Sequence, residues 1–262
     1  MKSHSAELEA QASKSHSVYV ERSALVPEQY QTVDPQLEIK ELRHCLSMVH
    51  HDLREPTRTL MSSCRMLKAA LPDDLSPEVE QYINFINSSA HRLDQQIQAI
   101  ADYNQAGRDV QLTPCTLRDL VMEALTKMDQ HVNVVLDIPE GAMVRCDRTK
   151  VQIVLEELIE NAIKFRAKEG LPTLIFGLDQ TKRDFLGLVV SDNGSGIDKY
   201  AQSRIFGMFE RGVPRSSHPG IGAGLAIAQR CARAMRGNLS LAKTSRAGST
   251  FVFHLPRLSH DD

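Results

Sequence analysis

The chain has 262 residues, of which 42% are hydrophobic and 24% charged, with a formal net charge of −2. That length holds one large domain or two modest ones with cores of their own, and the near-zero charge excludes a global field directed at nucleic acid or an anionic membrane. Trp is absent, which removes the usual base-stacking surface, and the cysteines at 45, 64, 115, 146 and 231 form no CxxC pair, so they suit reduced thiols in a cytoplasmic protein.

The opening residues, MKSHSAELEAQ, lack the apolar core of a signal peptide, and the longest apolar runs, such as FLGLVV at 185–190, are too short to span a bilayer. Residues 1–34 are polar with little periodicity and read as a leader or linker. From Ile39 the pattern changes: Ile39, Leu42, Leu46, Val49, Leu53, Pro56, Leu60, Ser63, Leu67 and Ala70 alternate spacings of three and four. This is a heptad seam and predicts a long helix packed on other helices. Leu71-Pro72-Asp73-Asp74 ends it, and Ser76-Pro77-Glu78 supplies a cap, a first-turn proline and a first-turn acid for the next helix. Its seam is Val79, Ile83, Ile86, Ala90, Leu93, Ile97 and Ile100. Residues 35–106 are therefore expected to form an antiparallel helical hairpin. A hairpin with one apolar stripe cannot bury it alone, so a homodimer with a four-helix bundle is expected.

A hinge is placed at 101–112. Beyond it, over 111–258, helices are expected at 116–129, 147–167 and 223–236. Strands are expected at 132–138, 173–179, 185–191, 238–243 and 250–255. This interleaving predicts an α+β sandwich, one mixed sheet with helices on one face.

Three stretches in this region carry chemistry. EELIENAIKF at 156–165 puts Glu157 and Asn161 one helical turn apart, with Lys164 close by. A carboxylate, an amide oxygen and an ammonium suit a metal-bound triphosphate, and equally a solvated polar face. SDNGSGI at 191–197 follows a strand. Asp192 there is able to accept from an exocyclic amine while Gly194 and Gly196 admit a flat ligand, although a plain glycine-rich turn reads the same way. PGIGAGLAIA at 219–228 sets Gly220, Gly222 and Gly224 before a helix, where free amides favour phosphate.

In this order, with IFGMFER at 205–211, GSTFVF at 248–253 and HHDLREP at 50–56 upstream, the blocks together resemble the two-component sensor histidine kinases. These join a phosphoacceptor dimerisation hairpin to an ATP-binding domain of the GHKL superfamily. The HDLREP form is similar to the phytochrome-like branch. The resemblance implies a homodimeric histidine kinase that uses ATP and Mg²⁺, autophosphorylates His51 and passes the phosphoryl group to an aspartate of a response-regulator receiver domain, under a separate or upstream sensor. It implies Asp52 as the base, Asn161 and Glu157 at the metal and Lys164 at the phosphates. Asp192 would sit on the adenine amine with Gly194 and Gly196 shaping the base pocket. Gly220, Gly222 and Gly224 would form the lid, and Thr250 would help close the adenine site. No nucleic-acid partner and no membrane segment are expected.

The periodicity makes a separate statement about the two histidines. His51 is two residues from both Val49 and Leu53, roughly 200° around the helix from that seam, so it points outward while His50 lies on the flank. Two departures from the family pattern stand out. Glu157 replaces a common asparagine, which either adjusts the metal shell or permits some ATP hydrolysis. Glu55 replaces the Thr or Asn of kinases that dephosphorylate their regulators, so weak phosphatase activity is expected. The competing readings are a non-catalytic dimeric phosphotransfer or scaffold protein with a degenerate nucleotide domain, and a GHKL ATPase without histidine chemistry.

Overall fold

A computed structural model describes residues 35–72, 75–128, 131–167, 170–212 and 220–258. The 1–34 leader expected from the sequence lies outside these residues. The chain divides after Cys45 into two compact units, and all the packing described below belongs to the second, Leu46–Asp262.

Helix α1 runs over Pro35–Ala70 and continues through Pro56. Proline has no N–H for the carbonyl one turn back. Beside that gap the Thr57 hydroxyl donates to the Leu53 carbonyl at 2.7 Å and the Thr59 hydroxyl to Glu55 at 3.1 Å. Helix α2, Pro77–Ala106, begins as its sequence dictates: the Ser76 hydroxyl accepts from the Val79 amide, Pro77 opens the first turn, and Glu78 and Glu80 face the positive end of the helix dipole.

The seam between the two helices differs from the expected one. His50, Arg54, Thr57, Met61 and Cys64 of α1 are wholly or partly buried, as are Ile83, Asn87, Ala90, Asp94 and Ile97 of α2, with Arg54 and Asp94 paired at 3.8 Å. Other expected seam residues stay open, among them Val49 at 45%, Leu53 at 47% and Ile86 at 43% exposure. The physical reason is the width of the stripe. An apolar face broader than 100° offers one edge to its hairpin neighbour and leaves the other for something else. His50 is thereby drawn into the hairpin, and its Nε2 is buried without a hydrogen-bond partner.

Helix α2 ends at Gly107, so the helix-free link is shorter than expected, Gly107–Leu112. The next strand, β1 (Thr113–Thr116), pairs antiparallel with β3 (Met143–Cys146). Neither strand was expected, because TPCT and MVRC are too short to show alternation. Between them lie helix α3 (Leu117–Thr126) and strand β2 (Asn133–Leu136). Helix α4 (Arg148–Lys164), β4 (Thr173–Asp179), β5 (Phe185–Asp192), helix α5 (Gly224–Ala234), β6 (Asn238–Ser245) and β7 (Gly248–Pro256) follow. The main sheet has the order β2-β4-β5-β7-β6, parallel only between β2 and β4. Its inner face joins the helices in one core around Phe176, Leu188, Phe253 and Leu255 from the sheet, with Leu120, Leu155 and Ile159 from α3 and α4. Fully burying each such side chain contributes about 1.5–3 kcal/mol. On the other face the register partners Val135 and Ile175 are half exposed, so the helices cover one side, as the α+β reading requires.

The start of α4 is set by Asp147. Its Oδ1 accepts from the Lys150 amide at 3.2 Å and its Oδ2 from the Gln111 amide at 3.0 Å. One buried carboxylate thus caps the helix and ties the link after α2 to it.

Candidate nucleotide site and phosphoacceptor

A cavity of about 750 Å³ opens between α4, the end of β5 and the segment leading into α5. Glu157, Asn161 and Lys164 of α4 line it, spaced so that successive turns of one helix face present them. Asp192 lines it from the end of β5, and Gly196, Gly220, Gly222 and Gly224 contribute backbone.

Each group is held by identifiable contacts. Asp192 Oδ1 accepts from the amides of Gly194 at 2.8 Å and Ser249 at 3.2 Å, which fixes the carboxylate plane. Burial raises the Asp192 pKa, and those two amides act against the shift. Gly194 is behind the cavity wall. A Cβ there would stand 2.7 Å from the Phe165 carbonyl, the same carbonyl that accepts from the Ser195 amide. Gly196 has φ +73 and presses its α-carbon on the Ser245 carbonyl, a conformation and a spacing only glycine tolerates. Gly222, with φ +78, lies in the same way on the Glu210 carbonyl.

The electrostatics centre on α4. Burial, with Glu160 adding repulsion, pushes the Glu157 carboxyl up to about 7, against the pull of Lys164. The Lys164 ammonium is held below its ordinary value by burial and by Arg211. It lies 5.1 Å from the centre of the Phe165 ring. Glu157 packs on Gly224, the first residue of α5, and any Cβ at 224 would overlap its carboxylate. Ala223 before it makes no side-chain cap bond, so among the described residues the first amides of α5 have no capping side chain.

These features fit a magnesium-bound triphosphate. Asn161 and Glu157 supply oxygen donors, Lys164 a cation, and the start of α5 uncapped amides, with lid glycines that leave the space clear.

Thr250, expected to help close the adenine site, lies apart from the other candidates. It does not line the cavity: its hydroxyl is 2.9 Å from that of Ser191, on the other face of β7. Strand alternation puts Ser249 and Phe251 on the cavity side instead. The core positions Phe251, Phe253 and Leu255 carried that signal, since Ser249 shares their parity. Arg211 and Ser195 also line the cavity and were not anticipated.

His51 and Asp52 are elsewhere, on α1. The His51 side chain is 83% exposed, and its Nδ1 lies 3.4 Å from Asp52 Oδ1. Neither residue lines the cavity, so the phosphoacceptor candidates and the nucleotide candidates form two separate groups.

Two family models match the chain. Residues 41–108 match the His Kinase A (phospho-acceptor) domain, and residues 146–259 match the family of histidine kinase-, DNA gyrase B- and HSP90-like ATPases. The chain is similar to the sensor histidine kinase AtsR of Burkholderia thailandensis, 31% identical over 80% of this chain and 36% of that protein. It is also similar to the phytochrome-like protein Cph1 of Synechocystis, 28% identical over 82% of this chain and 29% of that protein. It thus spans about a third of the length of these relatives. Among solved structures, full-length ShkA in complex with AMPPNP shares the fold with a TM-score of 0.58 at 21% identity, covering 82% of this chain and 46% of that one. Among the described residues no helix is long and apolar enough to cross a membrane.

Proposed function

The chain belongs to the two-component sensor histidine kinases, and from that premise we propose that it binds ATP with Mg²⁺ in the 750 Å³ cavity, phosphorylates His51 and passes the phosphoryl group to an aspartate of a response-regulator receiver domain. Asp192 accepts from the adenine amine. Asn161 and Glu157 hold the metal, which when bound neutralises phosphate charge. Lys164 and the uncapped amides of α5 take the phosphates.

In the transfer the Nε2 lone pair of His51 forms the N–P bond. The bond from the γ-phosphorus to its bridging oxygen breaks, and that electron pair leaves with ADP. Asp52, 3.4 Å from Nδ1, orients the ring and accepts the proton that Nδ1 carries in the productive tautomer. Bringing the two groups together falls to movement about the Gly107–Leu112 link or to a second copy of the chain.

A second copy also answers the open stripe on the hairpin. Val49, Leu53, Leu60 and Leu67 on α1 and Val79, Ile86 and Leu93 on α2 are large apolar residues left at 40% exposure or more. A symmetric pairing of two hairpins would cover them as a four-helix bundle.

The observation that carries this reading is the convergence of Asn161, Lys164 and Asp192 with side-chain-free lid positions on one cavity, in a chain that also exposes His51. Incubation with ATP labelled on the γ-phosphate tests it. Acid-labile, alkali-stable label is expected on the wild type and none on His51→Gln. Acid-stable label, or equal label on the variant, contradicts it.

A further inference from the structure

A second cavity, of about 290 Å³, lies where the end of α2 meets α5. It shares no lining residue with the nucleotide cavity. Tyr103 and Gly107 line it from the hairpin side, Gln229, Arg230 and Arg233 from α5, and Phe206 closes one wall.

Arg230 is the central group. Its guanidinium carbon stands 4.4 Å from the centre of the Tyr103 ring, and its Nε is buried without a hydrogen-bond partner. Gly107 makes room for it: a Cβ there would be 2.9 Å from Nε and 3.2 Å from Nη2. The φ of Gly107 is −89, which any residue adopts, so the glycine is explained by space and not by backbone conformation. No carboxylate lines the cavity, and among the described residues neither Arg230 nor Arg233 has an ion-pair partner.

A helix C-terminus favours cations, and stacking on Tyr103 adds to that. Those effects account for the positive charge. They do not account for two guanidiniums lining one cavity with no acid in its wall and, among the described residues, no hydrogen-bond acceptor for either, an arrangement that favours an anion.

We infer that this cavity binds a small phosphoryl dianion, held by the fork of Arg230 and the charge of Arg233. The ligand is free phosphate or a phosphate monoester. The monoester would set its organic part against Tyr103 and Phe206. Bound there, it joins the end of the hairpin to the helix that follows the lid. The inference depends on neither the kinase reading nor the chemistry of His51.

Calorimetric titration of the full chain with inorganic phosphate and with phenyl phosphate tests it, alongside crystals soaked in selenate as an anomalous phosphate mimic. Selenate density is expected at Arg230, and phosphate affinity is expected to fall about tenfold in Arg230→Gln, the loss of one charge-assisted contact. Gly107→Ala should weaken binding in the same direction without altering the backbone. Tighter binding of phenyl phosphate identifies a monoester, and equal binding identifies free phosphate. Unchanged affinity in both variants, or selenate confined to the nucleotide cavity, overturns the inference. Should Arg230→Gln not fold by far-UV circular dichroism, Gly107→Ala and the selenate position decide the matter.

Discussion

Replacing Asp192 by asparagine separates recognition from folding at one atom. Asp192 Oδ1 accepts two backbone amides, from Gly194 and Ser249. An asparagine carbonyl oxygen accepts the same two, so the turn at 193–196 and its contact with β7 keep their bonds. What changes is the other carboxylate oxygen, which becomes an NH₂ donor directed at the amine of a bound adenine. The loss of a charge-assisted hydrogen bond is worth about 1.5–3 kcal/mol, or about 10- to 150-fold in affinity. The stability change should stay under about 1 kcal/mol, which is a melting shift of about 2–4 °C at this size. Titration calorimetry with ADP and Mg²⁺ measures the first quantity and a thermal melt the second. An Asp192→Asn protein that binds ADP as tightly as the wild type, or one that unfolds many degrees lower, refutes the assignment of this carboxylate to the base.

Further outcomes follow from other parts of the fold. His254 is buried with Nε2 3.4 Å from Asp179 Oδ2. Burial and Lys182 hold its pKa below the ordinary 6.5, against the pull of Asp179. The unfolded chain then binds more protons, so the stability is full above pH 6.5 and declines as pH falls beneath it. Urea midpoints at pH 7.5 and 5.5 should differ less in His254→Gln than in the wild type, and an identical difference contradicts this. Asp147→Ala removes the caps on Lys150 and Gln111 and should cost about 2–3 kcal/mol in urea unfolding; a loss below 0.5 kcal/mol, taken as roughly the surface-substitution range, means the cap does not hold α4. Leu53→Glu combined with Ile86→Glu charges the open hairpin stripe, and sedimentation should shift the chain from dimer to monomer. A dimer that persists would show that another face makes the assembly.

Local chemistry made much of this structure legible in the sequence. Ser76 announces its helix because the cap is a single side chain acting within its own turn. Gly196 was legible for the same reason, as a residue that admits close approach, while the positive φ of Gly196 and Gly222 emerges only in the structure. Contacts between segments were harder to read. The heptad pattern located the apolar stripe of α1 but not which edge meets α2, so the seam shifted to His50, Thr57 and Cys64. Thr250 and Ser249 differ only in which face of β7 they occupy, and a strand is resolved only once its core-facing parity is fixed by Phe251 and Phe253. Strands β1 and β3 owe their existence to each other, through a register that pairs Thr113 with Cys146, and nothing within four residues signals a partner so distant. The cavity at Arg230 also lay beyond the sequence, because it depends on α2 and α5 meeting.

The central claim is that a single imidazole on α1 receives the terminal group of a nucleotide held by α4, β5 and the lid. Phosphorus NMR of the protein incubated with ATP and Mg²⁺ at alkaline pH addresses it most directly. One phosphoramidate resonance is expected, lost in His51→Gln and retained in His50→Gln. A phosphoramidate that survives in His51→Gln, or a spectrum showing only ADP and inorganic phosphate, contradicts the account.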